Sequence, residues 1–596
     1  MEKRTISGLR MLQTKNLVKK YTAIIFACIF FLSINIESTN PIHSISIDSD
    51  YTPAQKEIAY GKNGMVTTQH FIATRVGENI LNKGGNAYDA SIAIAFTLAV
   101  VLPRAGNIGG GGFMVIYDKD TEKPYSIDYR EKAPKLSNRD MYLKDDGSFN
   151  DQKLSTFGYL SSGVPGTVAG FWEVHQKFGS LPWEDLLEDA IHYAENGFQI
   201  SPYMSNVLRT YHEKLSYFEE TKKIFLADYP DFKNNLIQKD LANTLKIISS
   251  NGKDGFYKGA IAQKISSSMK KNGGLISLHD LSNYEAIWRE PLKSDYRNLQ
   301  VITMGPPSSG GVHIIQMLNV LENYDLSSFE HNSSKYINLL AETMKHAYAD
   351  RSEYLGDPDF YDVPLNKLTS KSYANNISKN IQFGISADSS DINPGMYIDN
   401  ESSETTHFSV ADKYGNVVSS TYTLNSTFGS GVVIEGTGIL MNNEMDDFSS
   451  APGIPNQFGL LGAKANEIAP YKRPLSSMTP TIVMKNNELF FTTGSPGGAR
   501  IISAVLQSIL NIVDFEMNLE EATYAKRIHH QWQPDILEVE FSIEDNLNKE
   551  LSNIGYELKV SNPLTCIQTI MFKNGTFTGY GDFRRPDAFA SGNIND

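Results

Sequence analysis

Two polar segments joined by a tight turn constrain the fold and the function of this chain more than any other feature. Thr405 to Asp412 alternates in strand fashion, and Lys413-Tyr414-Gly415 is a three-residue turn pattern with glycine at the left-handed position. The returning segment then pairs so that Thr405 lies opposite Thr423, with Asn425 just beyond the strand. This pairing would place the hydroxyls of Thr405 and Thr423 side by side at a strand end, as a reactive site would require. An ordinary Thr-rich hairpin would produce the same pattern, since threonine favours strands.

The segment before this hairpin is acidic and rich in serine. Residues Asp388 to Glu404 have the composition of a linker, and the linker stops at Thr405. A threonine hydroxyl is a weak nucleophile that needs a base. Cleavage of the Glu404–Thr405 bond would supply one, because the new α-amine has a pKa of about 7.7–8.0 and is roughly one-tenth neutral at pH 7. The sequence therefore predicts a self-cleaving enzyme whose nucleophile is an N-terminal threonine.

A glycine turn follows another predicted strand. A strand is predicted from Leu489 to Thr493, a turn from Gly494 to Gly498, and a helix from Ala499 to Val513. The backbone amides of Gly497 and Gly498 would lie at the helix N-terminus, which is a ready anion site, and could stabilise a tetrahedral oxyanion. A tight turn with a glycine cap is the alternative explanation of the same residues.

Charged and hydroxyl side chains in three further segments match the needs of a free α-amino acid head group, which requires one clamp for a carboxylate and one for an ammonium. Taken singly, each segment could be an ordinary surface or turn segment. The carboxylate set is Arg130, Ser476 and Ser477, and the ammonium set is Asn425, Glu444 and Asp447.

Eight motifs in order over about residues 55 to 590 resemble the γ-glutamyltranspeptidases (glutathione hydrolases) of the N-terminal-nucleophile hydrolase superfamily. The motifs are Gly106 to Phe113, Asp128 to Pro134, Thr405 to Ser409, Thr421 to Asn425, Asn442 to Phe448, Arg473 to Pro480, Gly494 to Gly498 and Arg527 to Gln531.

This resemblance implies an α+β fold, the four-layer αββα sandwich. It implies self-cleavage between Glu404 and Thr405 into a large subunit (residues 39–404) and a small catalytic subunit (residues 405–596), which stay together as a heterodimer. Thr405 would be the nucleophile, assisted by Thr423, and Gly497 and Gly498 would form the oxyanion hole. The substrate head group would be held by the two sets just described.

The implied reaction attacks the γ-amide of glutathione or another γ-glutamyl compound and passes the γ-glutamyl group to water or to an amino acid or peptide acceptor. We expect no metal and no organic cofactor. The resemblance also implies a lid within Pro452 to Pro470, with Phe458 as its gating aromatic residue or, equally, as loop packing. The balance of hydrolysis and transfer is not set by the sequence.

The net charge and the N-terminal segment indicate which partners and which cellular location to expect. A net charge of −14 argues against nucleic acid as a partner. Lys19-Lys20 precede the apolar run Ala23 to Ile34, which is short for a membrane span and typical of a signal-peptide core. Residues 1–38 are therefore predicted to be a signal peptide or an N-terminal anchor, and the protein to be exported to the periplasm or the medium.

Three alternatives stay open. One is a sister enzyme, either a cephalosporin-type acylase or a poly-γ-glutamate depolymerase. The head-group residues argue against the first, and the predicted lid argues against the second, since a polymer needs an open groove. A non-catalytic exported binding protein and an envelope structural protein are the other two.

The remaining secondary structure follows from periodicity. Ala87 to Leu102 is nearly all apolar and predicts a buried helix capped by Asn86. The glycine loop from Gly106 to Gly112 leads into a strand, which excludes a phosphate loop, because a phosphate loop leads into a helix. Amphipathic helices are predicted at 168–178, 183–196, 242–249, 261–272, 312–321 and 334–354, and strands at 406–411, 417–424, 481–484 and 489–493.

Overall fold

The structure is a computed structural model of the chain, and it describes residues 57–146, 150, 153–392, 405–449, 456–457, 462–540, 544–561 and 563–594. The predicted signal peptide or anchor, Glu404 and Phe458 lie outside the described residues. Within the described ranges, no helix is long and apolar enough to cross a membrane.

Seventeen strands are present in the described parts of the chain. They are β1 (Ala59–Gly61), β2 (Gly64–Thr68), β3 (Gly111–Asp118), β4 (Lys123–Tyr129), β5 (Ile287–Arg289), β6 (Leu292–Tyr296), β7 (Leu299–Thr303), β8 (Thr405–Asp412), β9 (Val417–Thr423), β10 (Thr481–Lys485), β11 (Glu488–Thr493), β12 (Ile528–His529), β13 (Ile536–Glu540), β14 (Glu557–Ser561), β15 (Gln568–Lys573), β16 (Thr576–Gly581) and β17 (Phe589–Ser591).

The α-helices of the same parts are numbered in chain order. They are α1 (Phe71–Asn82), α2 (Ala87–Val101), α3 (Thr167–Phe178), α4 (Trp183–Asn196), α5 (Pro202–Thr210), α6 (His212–Ser216), α7 (Glu219–Phe225), α8 (Lys239–Asn251), α9 (Asp254–Tyr257), α10 (Gly259–Lys271), α11 (Leu278–Ser282), α12 (Gly310–Leu321), α13 (Ser334–Tyr354), α14 (Leu365–Leu368), α15 (Lys371–Asn380), α16 (Arg500–Val513), α17 (Leu519–Tyr524) and α18 (Asp545–Ile554).

Two seven-stranded antiparallel sheets face each other at the centre. The first has the order β1-β16-β15-β11-β10-β7-β6, and the second has the order β17-β2-β8-β9-β3-β4-β5. Strand β15 touches β8, and β11 touches β9, so the β8–β9 hairpin of the second sheet lies against the middle of the first. A small sheet, β12-β13-β14, lies outside this pair.

Side-chain alternation divides the core into layers. Phe408, Val410 and Tyr422 point from the second sheet into a cluster with helices α1 to α4. Residues on the opposite face of the same sheet, such as Phe113 and Val115, join a second cluster with the first sheet and helices α12, α13 and α16. The helices therefore cover the outer faces, which is the four-layer α+β arrangement expected from the sequence.

Helix α2 confirms the predicted buried helix. Asn86 caps it, accepting hydrogen bonds from the amides of Tyr88 and Asp89, and all residues from Ala87 to Val101 are buried. The amphipathic prediction was wrong for α12 and α13. Every residue of α12 is buried, and α13 buries charged side chains as well as apolar ones. Helix α12 packs against β6 and β7 of the first sheet and against α13, α15 and α16, whereas α13 packs against α12, α15, α18 and β12. This packing leaves little of either helix facing solvent.

The hairpin register is confirmed. Thr405 pairs with Thr423 and His407 with Thr421 in an antiparallel ladder. Gly415, in the turn, has φ +93°, the left-handed conformation that the turn pattern requires. The strand alternation and the turn together fix this pairing, and the first threonine of β8 is therefore placed at the end of the ladder.

Strands from both sides of residue 405 alternate across both sheets. Strand β2 pairs with β8 and β17, and β3 pairs with β9, so residues before and after the hairpin share one hydrogen-bonded ladder. In the first sheet, β7, which precedes residue 405, pairs with β10, which follows it. A cut in the backbone before β8 would leave these ladders and the shared core intact.

The start of the predicted linker is packed against the body of the protein. The indole of Trp532 donates to the carbonyls of Ser389 and Ile392, and the amide of Ser389 donates to Asp535. Residues 393–404 lie outside the described residues. The linker prediction therefore began about five residues too early, since the composition that suggested it includes a buried serine.

Candidate active site

Thr405 and Thr423 lie side by side at the open end of the hairpin. Their Oγ1 atoms are 3.4 Å apart, and both residues are buried. The Thr423 hydroxyl also accepts the backbone amide of Asn425 at 2.8 Å, which fixes its lone pairs relative to Thr405. The side-chain amide of Gln69, on the neighbouring strand end, donates to the Thr405 carbonyl at 3.3 Å.

His407 extends the polar face of the hairpin below Thr405. Its ring nitrogens lie 2.7 Å from Thr421 Oγ1 and 3.1 Å from Ser409 Oγ. Burial lowers the pKa of His407 to about 3, so the imidazole is neutral at physiological pH. A Cβ on Gly494 would lie 2.2 Å from the ring, so only glycine allows the turn after β11 to approach the hairpin this closely.

The predicted glycine turn is present and faces the same place. Gly497 and Gly498 have φ values of +129° and +54°, and α16 begins at Arg500 after the cap residue Ala499. Gly498 lines a small cavity together with Thr405 and Thr423. A helix N-terminus with left-handed glycines offers amide donors to an anion in this cavity.

Arg130 is the centre of a buried ion cluster. Its guanidinium donates to the carboxylates of Glu444 and Asp447, lies 3.4 Å from Glu131, and bonds the carbonyls of Pro474 and Leu475. Burial opposes the charge on Arg130, but the carboxylates outweigh it and raise its pKa.

The carboxylates in this cluster outnumber the guanidinium. Burial raises the pKa of Glu131 to about 7 and that of Glu444 well above its usual range, although Arg130 opposes both shifts. Oε1 of Glu131 and Oε2 of Glu444 have no hydrogen-bond partner among the described residues. The cluster therefore has spare acceptors, and its glutamates tend to hold their protons; an added ammonium would use the acceptors and favour the charged carboxylates.

Two asparagines attach the acidic loop to its surroundings. Asn442 donates to the carbonyls of Gly109 and Gly163 and accepts the amide of Glu444. Asn443 accepts the amide and hydroxyl of Ser426, and its carbonyl accepts the side chain of Asn425 at 3.0 Å. These bonds hold Glu444 and Asn425 as parts of one rigid wall.

One cavity brings together most of the residues predicted from the sequence. Its wall contains Arg130, Thr405, Thr423, Asn425, Glu444, Asp447, Ser476, Ser477 and Gly498. Gly497 is adjacent in sequence but is not part of that wall. Asn456 and Gln457, at the described edge of the predicted lid, bond the carboxylates of Asp447 and Asp446.

The two predicted clamps differ from expectation in one respect. They were expected as separate sets, yet Arg130 of the carboxylate set bonds Glu444 and Asp447 of the ammonium set directly. Buried opposite charges pair when nothing else neutralises them. A zwitterionic substrate bound here would add one charge of each sign, so it could enter without changing the net charge of the site.

With this geometry in place, the chain can be compared with known proteins. The family model described as γ-glutamyltranspeptidase matches residues 73–592. This chain belongs to the γ-glutamyltranspeptidase family. The glutathione hydrolase proenzyme of Escherichia coli K12 is 47% identical over 535 residues, which cover 89% of this chain and 92% of that protein.

Solved structures of this family and of an acylase share the fold. The γ-glutamyltranspeptidase of Helicobacter pylori is 43% identical, with a TM-score of 0.53 over 58% of this chain and 97% of that chain. A cephalosporin acylase of Bacillus halodurans is 25% identical, with a TM-score of 0.77 over 92% of this chain and 99% of that chain.

Sequence reasoning missed several residues of the site. Arg351, Met478 and Ile501 also line the cavity, and Glu131 and Gln69 touch residues that do. Glu131 is next to Arg130 within a quoted motif, so its proximity was available from the sequence. Arg351 gave no signal, because an arginine near a helix C-terminus is usually a solvent-exposed partner of the helix dipole.

Removing the second hydroxyl is expected to slow the reaction without disturbing the fold. Thr423→Val keeps the shape of the side chain but leaves Thr405 Oγ1 and the Asn425 amide without their shared partner. We expect kcat for a γ-glutamyl anilide to fall about 10- to 100-fold, as for one lost hydrogen bond in a buried site. Thr423→Ser, which keeps the hydroxyl, should retain most of the activity. Equal losses of kcat in both variants would contradict a role of the Thr423 hydroxyl in assisting Thr405.

Proposed function

We propose that this protein is a glutathione hydrolase and γ-glutamyltransferase that cleaves itself between Glu404 and Thr405. The observation that supports this best is the single cavity in which the Thr405–Thr423 pair, Gly498 and the Arg130 ion cluster meet. A nucleophile, an oxyanion donor and a zwitterion site are the three parts that γ-glutamyl transfer requires.

In the first step, Thr405 Oγ1 attacks the γ-carbonyl carbon and passes its proton to the Thr405 α-amine. The oxyanion that forms accepts hydrogen bonds from the amides of Gly497 and Gly498. Collapse of this intermediate breaks the C–N bond, and the leaving amine takes the proton from the α-ammonium. The γ-glutamyl group is then an ester on Thr405.

In the second step, water or the amine of an acceptor amino acid or peptide attacks the ester. The α-amine of Thr405 removes the proton of the attacking group and returns it to Oγ1 as the ester breaks. Before the attack, the Thr405 hydroxyl donates to Thr423 Oγ1. Once Thr405 has given up its proton, the Thr423 hydroxyl donates back to Oγ1 and stabilises the charge that develops on it.

Recognition of the γ-glutamyl head group uses opposite sides of the ion cluster. The ammonium is assigned to Glu444, Asp447 and Asn425, since Glu444 has a spare acceptor oxygen and a bound ammonium would favour its charged form. The carboxylate is assigned to Arg130 with the hydroxyls of Ser476 and Ser477. Recognition of both charges favours γ-glutamyl substrates over glutaryl ones, which lack the amine.

Self-cleavage would give the large subunit, residues 39–404, and the small subunit, residues 405–596. The interleaved strands support continued association as a heterodimer, because both sheets contain ladders that join the two pieces.

Export to the periplasm or medium, with residues 1–38 as signal peptide or anchor, would place the enzyme where it meets extracellular glutathione. Phe458 is proposed as the gating residue of a lid.

The test compares three substrates on the purified protein: glutathione, γ-glutamyl-p-nitroanilide and glutaryl-p-nitroanilide. We expect hydrolysis of the first two, acceleration of p-nitroaniline release by glycylglycine as acceptor, and a kcat/KM for the glutaryl compound lower by at least about 100-fold, as for one buried charge pair left unmade. A preference for the glutaryl compound would contradict the proposal and favour an acylase.

A further inference from the structure

A second arginine faces the cavity from the helical layer. Arg351 lies in the last turn of α13, is 4% exposed, and lines the same cavity as Thr405 and Ser477. The mechanism proposed above assigns no role to Arg351. A buried charge costs folding free energy unless it is paired, so an unpaired one at a substrate site is a candidate for ligand binding.

The hydrogen bonds of Arg351 go to neutral partners only. Its Nε donates to Ser309 Oγ at 3.0 Å, and Nη2 donates to Ser477 Oγ at 3.2 Å. A guanidinium has five N–H donors. The other three have no acceptor among the described residues, and no carboxylate there forms an ion pair with Arg351.

The electrostatics of the two arginines differ accordingly. Burial lowers the pKa of Arg351 to about 10, with Asp447 opposing the shift through space. The pKa of Arg130 is raised by the carboxylates that bond it. Both groups are charged at neutral pH, but only Arg130 is neutralised by bonded neighbours.

Because no carboxylate of the described residues bonds Arg351, its partner is expected to be an anionic group of the substrate. A carboxylate matches the planar guanidinium and could also accept from the Ser477 hydroxyl. The γ-glutamyl group offers one such anion, its α-carboxylate, since its other carbonyl is the amide that reacts at Thr405.

We propose that Arg351 binds the α-carboxylate of the γ-glutamyl group, together with Ser477, as a second cation beside Arg130. This inference rests on the proposed function. It divides the recognition of the zwitterion between two sides of the cavity: Arg351 gains a bonded counter-ion, while Glu444 and Asp447 gain the ammonium. Specificity for substrates with an α-carboxylate then depends on a residue of the helical layer as well as on the central cluster.

The experiment uses the processed wild type, Arg351→Gln and Arg351→Lys, with two amides that differ only in this carboxylate. They are γ-glutamyl-p-nitroanilide and 4-aminobutyryl-p-nitroanilide. For Arg351→Gln we expect kcat/KM for the γ-glutamyl compound to fall about 100-fold, mainly through KM, and that for the 4-aminobutyryl compound to change less than about 3-fold. Arg351→Lys should fall between wild type and Arg351→Gln.

A matched control is Arg297→Gln. Arg297 bonds Asp514 and two backbone carbonyls away from the cavity wall, so its loss should leave the ratio of the two substrates unchanged. The proposal is overturned if Arg351→Gln lowers kcat/KM equally for both substrates or if neither Arg351 variant self-cleaves, since both outcomes assign Arg351 a structural role. It is also overturned if Arg351→Gln changes kcat/KM for neither substrate, since Arg351 would then not bind the carboxylate. A wild type inactive on γ-glutamyl-p-nitroanilide would instead contradict the proposed function itself.

Discussion

Thr405→Ala is expected to give a single uncleaved chain with no measurable γ-glutamyl transfer. The substitution removes the hydroxyl that would attack both the Glu404–Thr405 peptide bond and the substrate, so processing and catalysis should fail together. We expect kcat to fall by at least about 10⁴-fold, the size of effect seen when a covalent nucleophile is removed. Denaturing gels measure processing, and release of p-nitroaniline measures turnover.

The control for this variant is Thr405→Ser, which keeps a hydroxyl at the same position. It should still self-cleave and retain part of the activity, because the α-amine and Thr423 are unchanged. Full activity in Thr405→Ala, or cleavage of that variant at the same bond, would contradict the assignment of Thr405 as nucleophile.

Arg130→Gln should produce the second largest effect, on both stability and activity. The guanidinium bonds Glu444 and Asp447 within a buried cluster, and removing one partner of a buried ion pair costs about 3–5 kcal/mol of folding stability. The unpaired carboxylates would take up protons, so we expect a lower Tm and a kcat/KM at least about 100-fold below wild type. Thermal unfolding and steady-state kinetics check the two effects separately.

The double variant Arg130→Gln with Glu444→Gln separates charge burial from recognition. It removes one buried charge of each sign, so much of the lost stability should return. Activity should not return, because neither the carboxylate nor the ammonium of the substrate would then find its full set of partners. Recovery of activity along with stability would contradict a binding role for Arg130.

The parts of the site that the sequence could predict depend on local rules. The pairing of Thr405 with Thr423 follows from strand alternation and from a turn whose Gly415 has the left-handed backbone it needs. The glycine turn before α16 follows from the same kind of pattern, a strand, two glycines and an apolar helix. Such features depend on neighbours in sequence, so the structure places them where the patterns predicted.

The parts that could not be predicted depend on packing between distant elements. The pairing of Arg130 with Glu444 joins positions more than three hundred residues apart, and no local pattern encodes it. Arg351 lines the cavity from α13, which packs against α18 and β12, elements that come much later in the chain. Its sequence predicts an amphipathic helix, whereas the structure buries Glu342, Lys345 and Asp350 as well.

The central claim is that Thr405 becomes the N-terminal residue of a small subunit and acts there as the nucleophile. N-terminal sequencing and intact-mass analysis of the purified wild-type protein test it most directly. The account predicts two associated fragments, one of which begins at Thr405 and ends at residue 596. A single unprocessed chain, or a fragment that begins at any other residue, would contradict it.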